Sequence, residues 1–327
     1  MEMKITIVIC IVSAAAVLIL SGILVFTRKR DKKGTPHSND SIARYMIKTA
    51  LDSTVRIGKI HEVGKRKDQQ DTLAYSDVED ESVIHQKGML LIVADGIGGL
   101  KDGAEVSSLA AVEMLRYFDG HNMLDRPADA LKEALLYANE KVNVFLGEER
   151  IGKCGSTLAA AMMQDHNVYW ISVGDSSIFL YRENRLRRLN VLHNYEAELK
   201  KKIALGELTR AEAAREPRKA ALTSFIGQGD IALIDRNTEP LALTSGDRLM
   251  LATDGVYESV SMTELEGFLH SGAGEAAQGL QHLIETKDRR NQDNYTAIIV
   301  EIMTDQKDRG ANDKNGEIHG HRRQKNK

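Results

Sequence analysis

Cysteine is scarce in this chain. There are two among 327 residues, Cys10 and Cys154. Cys10 sits in an apolar N-terminal run, so no disulfide framework is expected, which fits a reducing compartment. Aromatic residues make up only 5% of the chain, and that argues against a surface on which nucleic-acid bases stack. Neither sign of charge dominates: the net charge is −3, with both signs mixed throughout. The basic footprint of a nucleic-acid binder is missing, and no nucleic-acid partner is expected. The histidines of the central region lack paired zinc-ligand spacing, and no solenoid-type repeat is present.

What the chain does have begins with a long uncharged run, Ile5 to Phe26. At about 1.5 Å per helical residue it can cross a hydrocarbon layer about 30 Å thick. A cleaved signal peptide would have a more basic start and a shorter apolar run, so a retained anchor is expected. Arg28, Lys29, Arg30, Lys32 and Lys33 follow the run, while only Lys4 precedes it. By the positive-inside rule the rest of the chain is cytoplasmic, hung from a single span in the cell membrane. Four parts follow: an anchor with its basic flank at 1–30, a polar linker at 31–53 with a short helix around Ile42 to Leu51, a folded domain at 54–304, and a charged tail at 305–327 expected to be disordered.

Within the domain, apolar spacing predicts strands at Val55 to Ile60, Leu73 to Ser76 and Met89 to Ala94. Helices follow at Ala104 to Phe118 and Pro127 to Leu146. Strands return at Thr157 to Met163, Val168 to Val173 and Ile178 to Arg182. His193 to Pro217 reads as polar and helical, with a capping box at Thr209-Arg210-Ala211-Glu212. Further strands are expected at Ile231 to Asp235, Arg248 to Thr253 and Tyr295 to Ile302. A second capping box, Ser261-Met262-Thr263-Glu264, opens a helix to about His270, and Ala276 to Thr286 forms another. Short links between consecutive strands demand antiparallel pairing, so the expected class is α+β, with helices covering antiparallel sheets.

Two of the strands end alike. Leu90 to Gly99 reads LLIVADGIGG, and Leu249 to Glu258 reads LMLATDGVYE. Taken singly, an Asp-Gly at a strand end is a turn, because both residues favour turn geometry. Taken together, Asp95 and Asp254 are joined by Asp175 just after a strand, Asp293 at the start of the last one, and Asp71. Several carboxylates carried on strand ends can meet at one point, and glycine beside them lets a backbone carbonyl approach an ion. Oxygen-only donors suit Mg²⁺ or Mn²⁺ rather than Zn²⁺.

The ordered set Arg66-x-x-x-Gln70-Asp71, Asp95-Gly96-Ile97-Gly98-Gly99 with Gly103-Ala104-Glu105 behind it, Gly155-Ser156-Thr157, Val173-Gly174-Asp175-Ser176, Thr253-Asp254-Gly255 and Asp293-Asn294-x-Thr296 resembles the metal-dependent protein phosphatases (PPM, or protein phosphatase 2C) in their bacterial form. The resemblance spans the whole domain in the family's order. It implies a β-sandwich of two antiparallel sheets flanked by helices, with two Mn²⁺ or Mg²⁺ ions at one end and a third, weaker site. Asp95 would bridge the two ions, the Gly96 carbonyl would bind one, and Asp254 and Asp293 would hold the other. Asp175 with Asp254 would serve the third ion. Asp71 would orient waters around the metals, and Arg66 would clamp the substrate phosphate with its planar fork. Water activated between the two ions would displace the phosphate of phosphoserine or phosphothreonine in line.

Three departures stand out. Gln70 replaces a glutamate common in the family and removes one negative charge near the second ion, so weaker metal binding is expected. Ile97 replaces the histidine of eukaryotic members, leaving solvent or bound water to protonate the leaving group. Ser177 replaces an arginine often found after Gly-Asp-Ser. The alternative reading is a catalytically weak or silent phosphoprotein-binding regulator of the same fold. A phosphatase dedicated to a sigma-factor regulator is a third. The expected partners are phosphoproteins, targets of a membrane serine/threonine kinase, since tethering raises effective concentration on one surface.

Overall fold

The central strands are apolar on both faces, and in the computed structural model both faces are covered. The structure describes residues 45–48, 53–76, 87–98, 102–164 and 166–304. Among these, one antiparallel sheet runs β1 (Tyr45–Lys48), β2 (Ser53–Glu62), β13 (Tyr295–Thr304), β12 (Arg248–Ala252), β8 (Ser177–Arg182) and β9 (Arg185–Arg188). The other runs β10 (Asp235–Arg236), β7 (Asn167–Val173), β6 (Leu158–Gln164), β4 (Met89–Ile97) and β3 (Asp71–Tyr75), with β11 (Leu241–Ala242) on β7 and β5 (Gly155–Ser156) on β4.

Side-chain alternation assigns each strand residue to one of three apolar layers. Leu91 and Val93 of β4 meet Ile178, Leu249, Leu251, Ile298 and Val300 between the sheets. Leu90 and Ile92 face outward onto α1 (Asp102–Gly120) and α2 (Pro127–Arg150), against Val106, Met114, Leu131 and Leu135. Met250, Ala252, Ala297 and Ile299 face outward on the other side. They pack on α5 (Asp254–Tyr257), α6 (Met262–Leu269) and α7 (Ala273–Lys287). The order of layers is therefore helix, sheet, sheet, helix. Being covered on both faces is why β4 and β12 read as unbroken apolar runs although their pairing is antiparallel.

Both expected capping boxes form. Thr209 caps α4 (Arg210–Ala214) with Glu212, and Ser261 caps α6 with Glu264. The polar helical stretch resolves into α3 (Tyr195–Ala204), capped by Asn194, and α4. Helix α2 keeps helical dihedrals up to the expected end, where Gly147 (φ 64°, ψ 169°) interrupts it before a further turn.

Several expectations are corrected. The helix expected around Ile42 to Leu51 is corrected at Tyr45–Lys48, which is a strand paired antiparallel with Thr54 to Ile57 of β2; the rest of that stretch lies outside the described residues. The strand expected from Ile231 to Asp235 is reduced to Asp235–Arg236, the part of this segment that pairs with β7. Strand β9 was not anticipated: it hangs on a two-residue turn in which Glu183 (φ 53°) and Asn184 (φ 60°) both take left-handed dihedrals, without the glycine that usually announces such a hairpin. The span at Ile5 to Phe26 and the tail from Asp305 lie outside the described residues. Among the described residues no helix is long and apolar enough to cross a membrane.

Candidate metal centre

Strand register brings the aspartates together. Asp71, the first residue of β3, pairs directly with Asp95 near the end of β4. In the other sheet, Ala252 pairs with Ala297, so Asp254 just after β12 lies beside Asp293 just before β13. Asp175 follows Val173, which pairs with Leu158 next to β4. Five aspartates from two sheets thus gather at one end of the sandwich.

Two threonines tie them in place. The Thr253 hydroxyl donates to Asp71 Oδ2 (2.8 Å) and accepts from the Thr296 amide (3.0 Å), linking the two sheets at the site. The Thr157 hydroxyl accepts from the Asp95 amide (3.0 Å), and its own amide donates to the Asp95 carbonyl (2.9 Å). That same hydroxyl bonds to Ser176, next to Asp175 (2.7 Å). Asp175 is held by Asn194 at its carboxylate (3.3 Å) and by the Tyr257 hydroxyl at its carbonyl (2.6 Å). Thr253 and Thr157 stand inside the Thr-Asp-Gly and Gly-Ser-Thr motifs, so their positions were visible in the sequence although their role was not. Asn194 and Tyr257 carried no such signal.

The glycines beside the aspartates do something other than turn. Neither Gly96 nor Gly255 has a positive φ. A Cβ on Gly96 would lie 2.2 Å from the Gly103 carbonyl oxygen, and one on Gly255 would lie 1.9 Å from that of Asn294. Each Asp-Gly is a place where another backbone crosses in contact. Gly96 is held from below: its amide donates to the Gln70 carbonyl (3.1 Å), which also accepts from Ser107 (2.6 Å).

The charge at the site is crowded. Burial, then the neighbouring charges of Asp71, Asp254, Asp175 and Asp293, push the Asp95 carboxyl well above the usual carboxylate range. Burial, with Asp175, Glu258, Asp293 and Asp71 nearby, pushes Asp254 up to about 8. Burial raises Asp71 to about 6 against the hydrogen bonds of Thr253 and Thr296, and raises Asp175 to about 6 against that of Asn194. Asp71 Oδ1 and Asp254 Oδ1 are buried without a partner. Orphaned carboxylate oxygens amid like charge are what a hard divalent cation would satisfy, and every donor here is oxygen. The residues fit Mg²⁺ or Mn²⁺ in chemistry. As they stand, no three His, Cys, Asp or Glu side chains among the described residues are arranged to enclose an ion; Asp293 is turned to Arg66 instead, with Arg66 Nη2 at 2.6 Å from its Oδ2.

Arg66 is exposed, and its guanidinium meets Asp293 at the edge of the aspartate cluster. Gln70 is half-buried, and its amide nitrogen points to the Gly98 carbonyl (3.4 Å) rather than across the aspartates. Ile97 is half-buried at the end of β4 and offers no proton.

Known proteins resemble this chain over most of its folded domain. The protein phosphatase 2C family model matches residues 58–292. The serine/threonine phosphatase stp of Listeria welshimeri is 30% identical over 227 residues, covering 68% of this chain and 88% of that protein. The Streptococcus agalactiae serine/threonine phosphatase structure superposes with a TM-score of 0.65 at 24% identity, over 76% of this chain and 99% of its own. The catalytic domain of the phosphatase PstP, solved with two manganese ions, superposes with a TM-score of 0.60 at 21% identity, over 76% and 98%. These two likenesses establish the fold.

Proposed function

This chain belongs to the protein phosphatase 2C family, and from that premise we propose that it is a membrane-anchored serine/threonine protein phosphatase acting on phosphoserine and phosphothreonine through two divalent ions. The observation that supports this best is the gathering of Asp71, Asp95, Asp254, Asp293 and Asp175 at one end of the sandwich, with two buried carboxylate oxygens unsatisfied. Asp95, the Gly96 carbonyl, Asp254 and Asp293 are the residues that would hold the ions, with Asp175 and Asp254 serving a weaker third. Bound there, Mn²⁺ or Mg²⁺ would activate water and offset charge on the phosphoryl oxygens.

The chain's own residues supply positioning. Arg66 offers a planar pair of donors to the phosphate, exchanging its bond to Asp293 for one to the substrate. Thr253 holds Asp71 in one rotamer, so Asp71 Oδ1 is free to orient water. Ile97 gives up no proton, so the departing serine or threonine oxygen takes its proton from solvent.

Anchoring rests on the uncharged run Ile5 to Phe26 and its basic flank, which would place the catalytic domain in the cytoplasm near membrane serine/threonine kinases and their targets. The full chain in detergent should hydrolyse p-nitrophenyl phosphate and a phosphothreonine peptide when given Mn²⁺, and stop with EDTA. EDTA-insensitive hydrolysis would sink the metal reading. Release of the chain from membranes by alkaline carbonate would sink the anchor and leave the enzyme reading intact.

A further inference from the structure

Two exposed loops meet beside Asp293, and both are rich in cations. The β2–β3 loop carries Lys65, Arg66 and Lys67; the end of α7 and the loop to β13 carry Lys287, Arg289 and Arg290. The loops are laced by backbone and side-chain bonds. Lys65 N donates to the Gln292 carbonyl (2.9 Å), and Asn294 Nδ2 donates to the carbonyls of Val63 (2.8 Å) and Asp68 (3.1 Å). They therefore present one surface.

Most of these cations are already engaged. Lys65 pairs with Asp288 (2.8 Å), Arg66 with Asp293, Lys287 with Glu264 (2.7 Å), and Arg289 with the Glu258 carbonyl. Lys67 and Arg290 differ: both are exposed, and no ion pair among the described residues involves either. Asp68, also exposed, is the carboxylate next to Lys67 in the chain. Six cations against Asp68, Asp288, Asp293 and the Glu264 that Lys287 engages leave the surface positive beside the aspartate cluster, where Arg66 meets Asp293.

Resting on the phosphatase reading above, we infer that Lys67 and Arg290 are specificity residues that bind anionic groups flanking the scissile phosphate, favouring acidic or multiply phosphorylated peptide segments. The aspartate cluster would repel such segments unless divalent ions are bound there, and the cationic rim would offset what repulsion remains. An extended peptide advances about 3.4 Å per residue. Lys67 is the chain neighbour of Arg66, so the anion it meets lies within a few residues of the phosphorylated one.

The test uses the full chain with Mn²⁺ and two phosphothreonine peptides, identical except that glutamates or a second phosphothreonine flank the site in one and alanines in the other. The wild type should prefer the anionic peptide in kcat/KM, mainly through KM, and lose the preference between 50 mM and 0.5 M salt. Lys67→Ala and Arg290→Ala should each reduce the ratio about two- to five-fold, and Lys67→Glu/Arg290→Glu should invert it. Hydrolysis of p-nitrophenyl phosphate should be unchanged in all of them. An unchanged ratio in the double variant, with that hydrolysis intact, overturns the inference alone; absence of Mn²⁺-dependent hydrolysis in the wild type overturns the phosphatase reading beneath it. If the double variant instead loses only its binding to phosphatidylserine vesicles, the surface faces the membrane and the inference falls.

Discussion

Asp254 and Thr253 are neighbours with opposite thermodynamic signs. Asp254 is a half-buried carboxylate, its Oδ1 shielded from solvent, among like charges, and burial and then Asp175 push it up to about 8. Asp254→Asn removes that charge. Above pH 8 the metal-free variant should melt higher than the wild type, while Mn²⁺-dependent hydrolysis should fall by at least about 100-fold, since a ligand matters more than the groups that merely support one. Calorimetric scans in EDTA and initial rates with Mn²⁺ read the two effects separately, and equal rates in both proteins would remove Asp254 from the centre. Thr253 behaves conversely. Its hydroxyl serves Asp71 Oδ2 and the Thr296 amide at once. Thr253→Val leaves both buried groups unpaired and should cost about 1–3 kcal/mol, whereas Thr253→Ser should recover most of it. Urea titrations that find valine and serine alike would show that the hydroxyl does not join the sheets.

At the scale of elements, glycine separates what was legible in the sequence from what was not. Most of the longer strands, the two long helices and both capping boxes follow from local patterns: apolar runs for β4 and β12, helical spacing in α1 and α2, and Ser/Thr three residues before Glu. The aspartates were legible for the same reason, because each closes or opens a strand that its own neighbours define. The purpose of Gly96 and Gly255 was not, since it depends on a backbone arriving from elsewhere in the chain. Nor was β9, whose turn residues Glu183 and Asn184 lack the glycine signal, nor the orientation of Arg66 toward Asp293, which only the packed loops determine. Gly255→Ala should accordingly destabilise the chain by about 1–3 kcal/mol or prevent folding, because its Cβ has backbone 1.9 Å away and cannot push it aside. Gly267→Ala, inside α6 with nothing near its Cβ, should stabilise by about 0.5–1 kcal/mol. Paired denaturation curves decide; two losses of similar size would mean that helix α6, and not the crossing at Gly255, limits stability.

For the whole molecule, the acidic end of the sandwich couples folding, pH and metal. The folded values of Asp71 and Asp175 (about 6) and of Asp254 (about 8) all lie above an unfolded value near 4. A carboxyl raised on folding favours the folded state most when it is protonated in both states, so its contribution is complete below about pH 4. It is lost as pH rises through 6 for Asp71 and Asp175, and through 8 for Asp254. The metal-free protein should therefore lose stability between pH 5 and pH 8.5. If divalent ions bind at the aspartates as proposed, they would reverse the slope, because they would bind the deprotonated ligands and the folded state alone. The gain in melting temperature on adding Mn²⁺ should grow steadily over the same window, with the EDTA curve falling. Melts at constant ionic strength test this, since salt would otherwise screen the cationic loops at Lys65–Lys67 and Lys287–Arg290 as well. A Mn²⁺ gain that stays constant from pH 5 to pH 8.5 would place the ion outside the aspartate cluster.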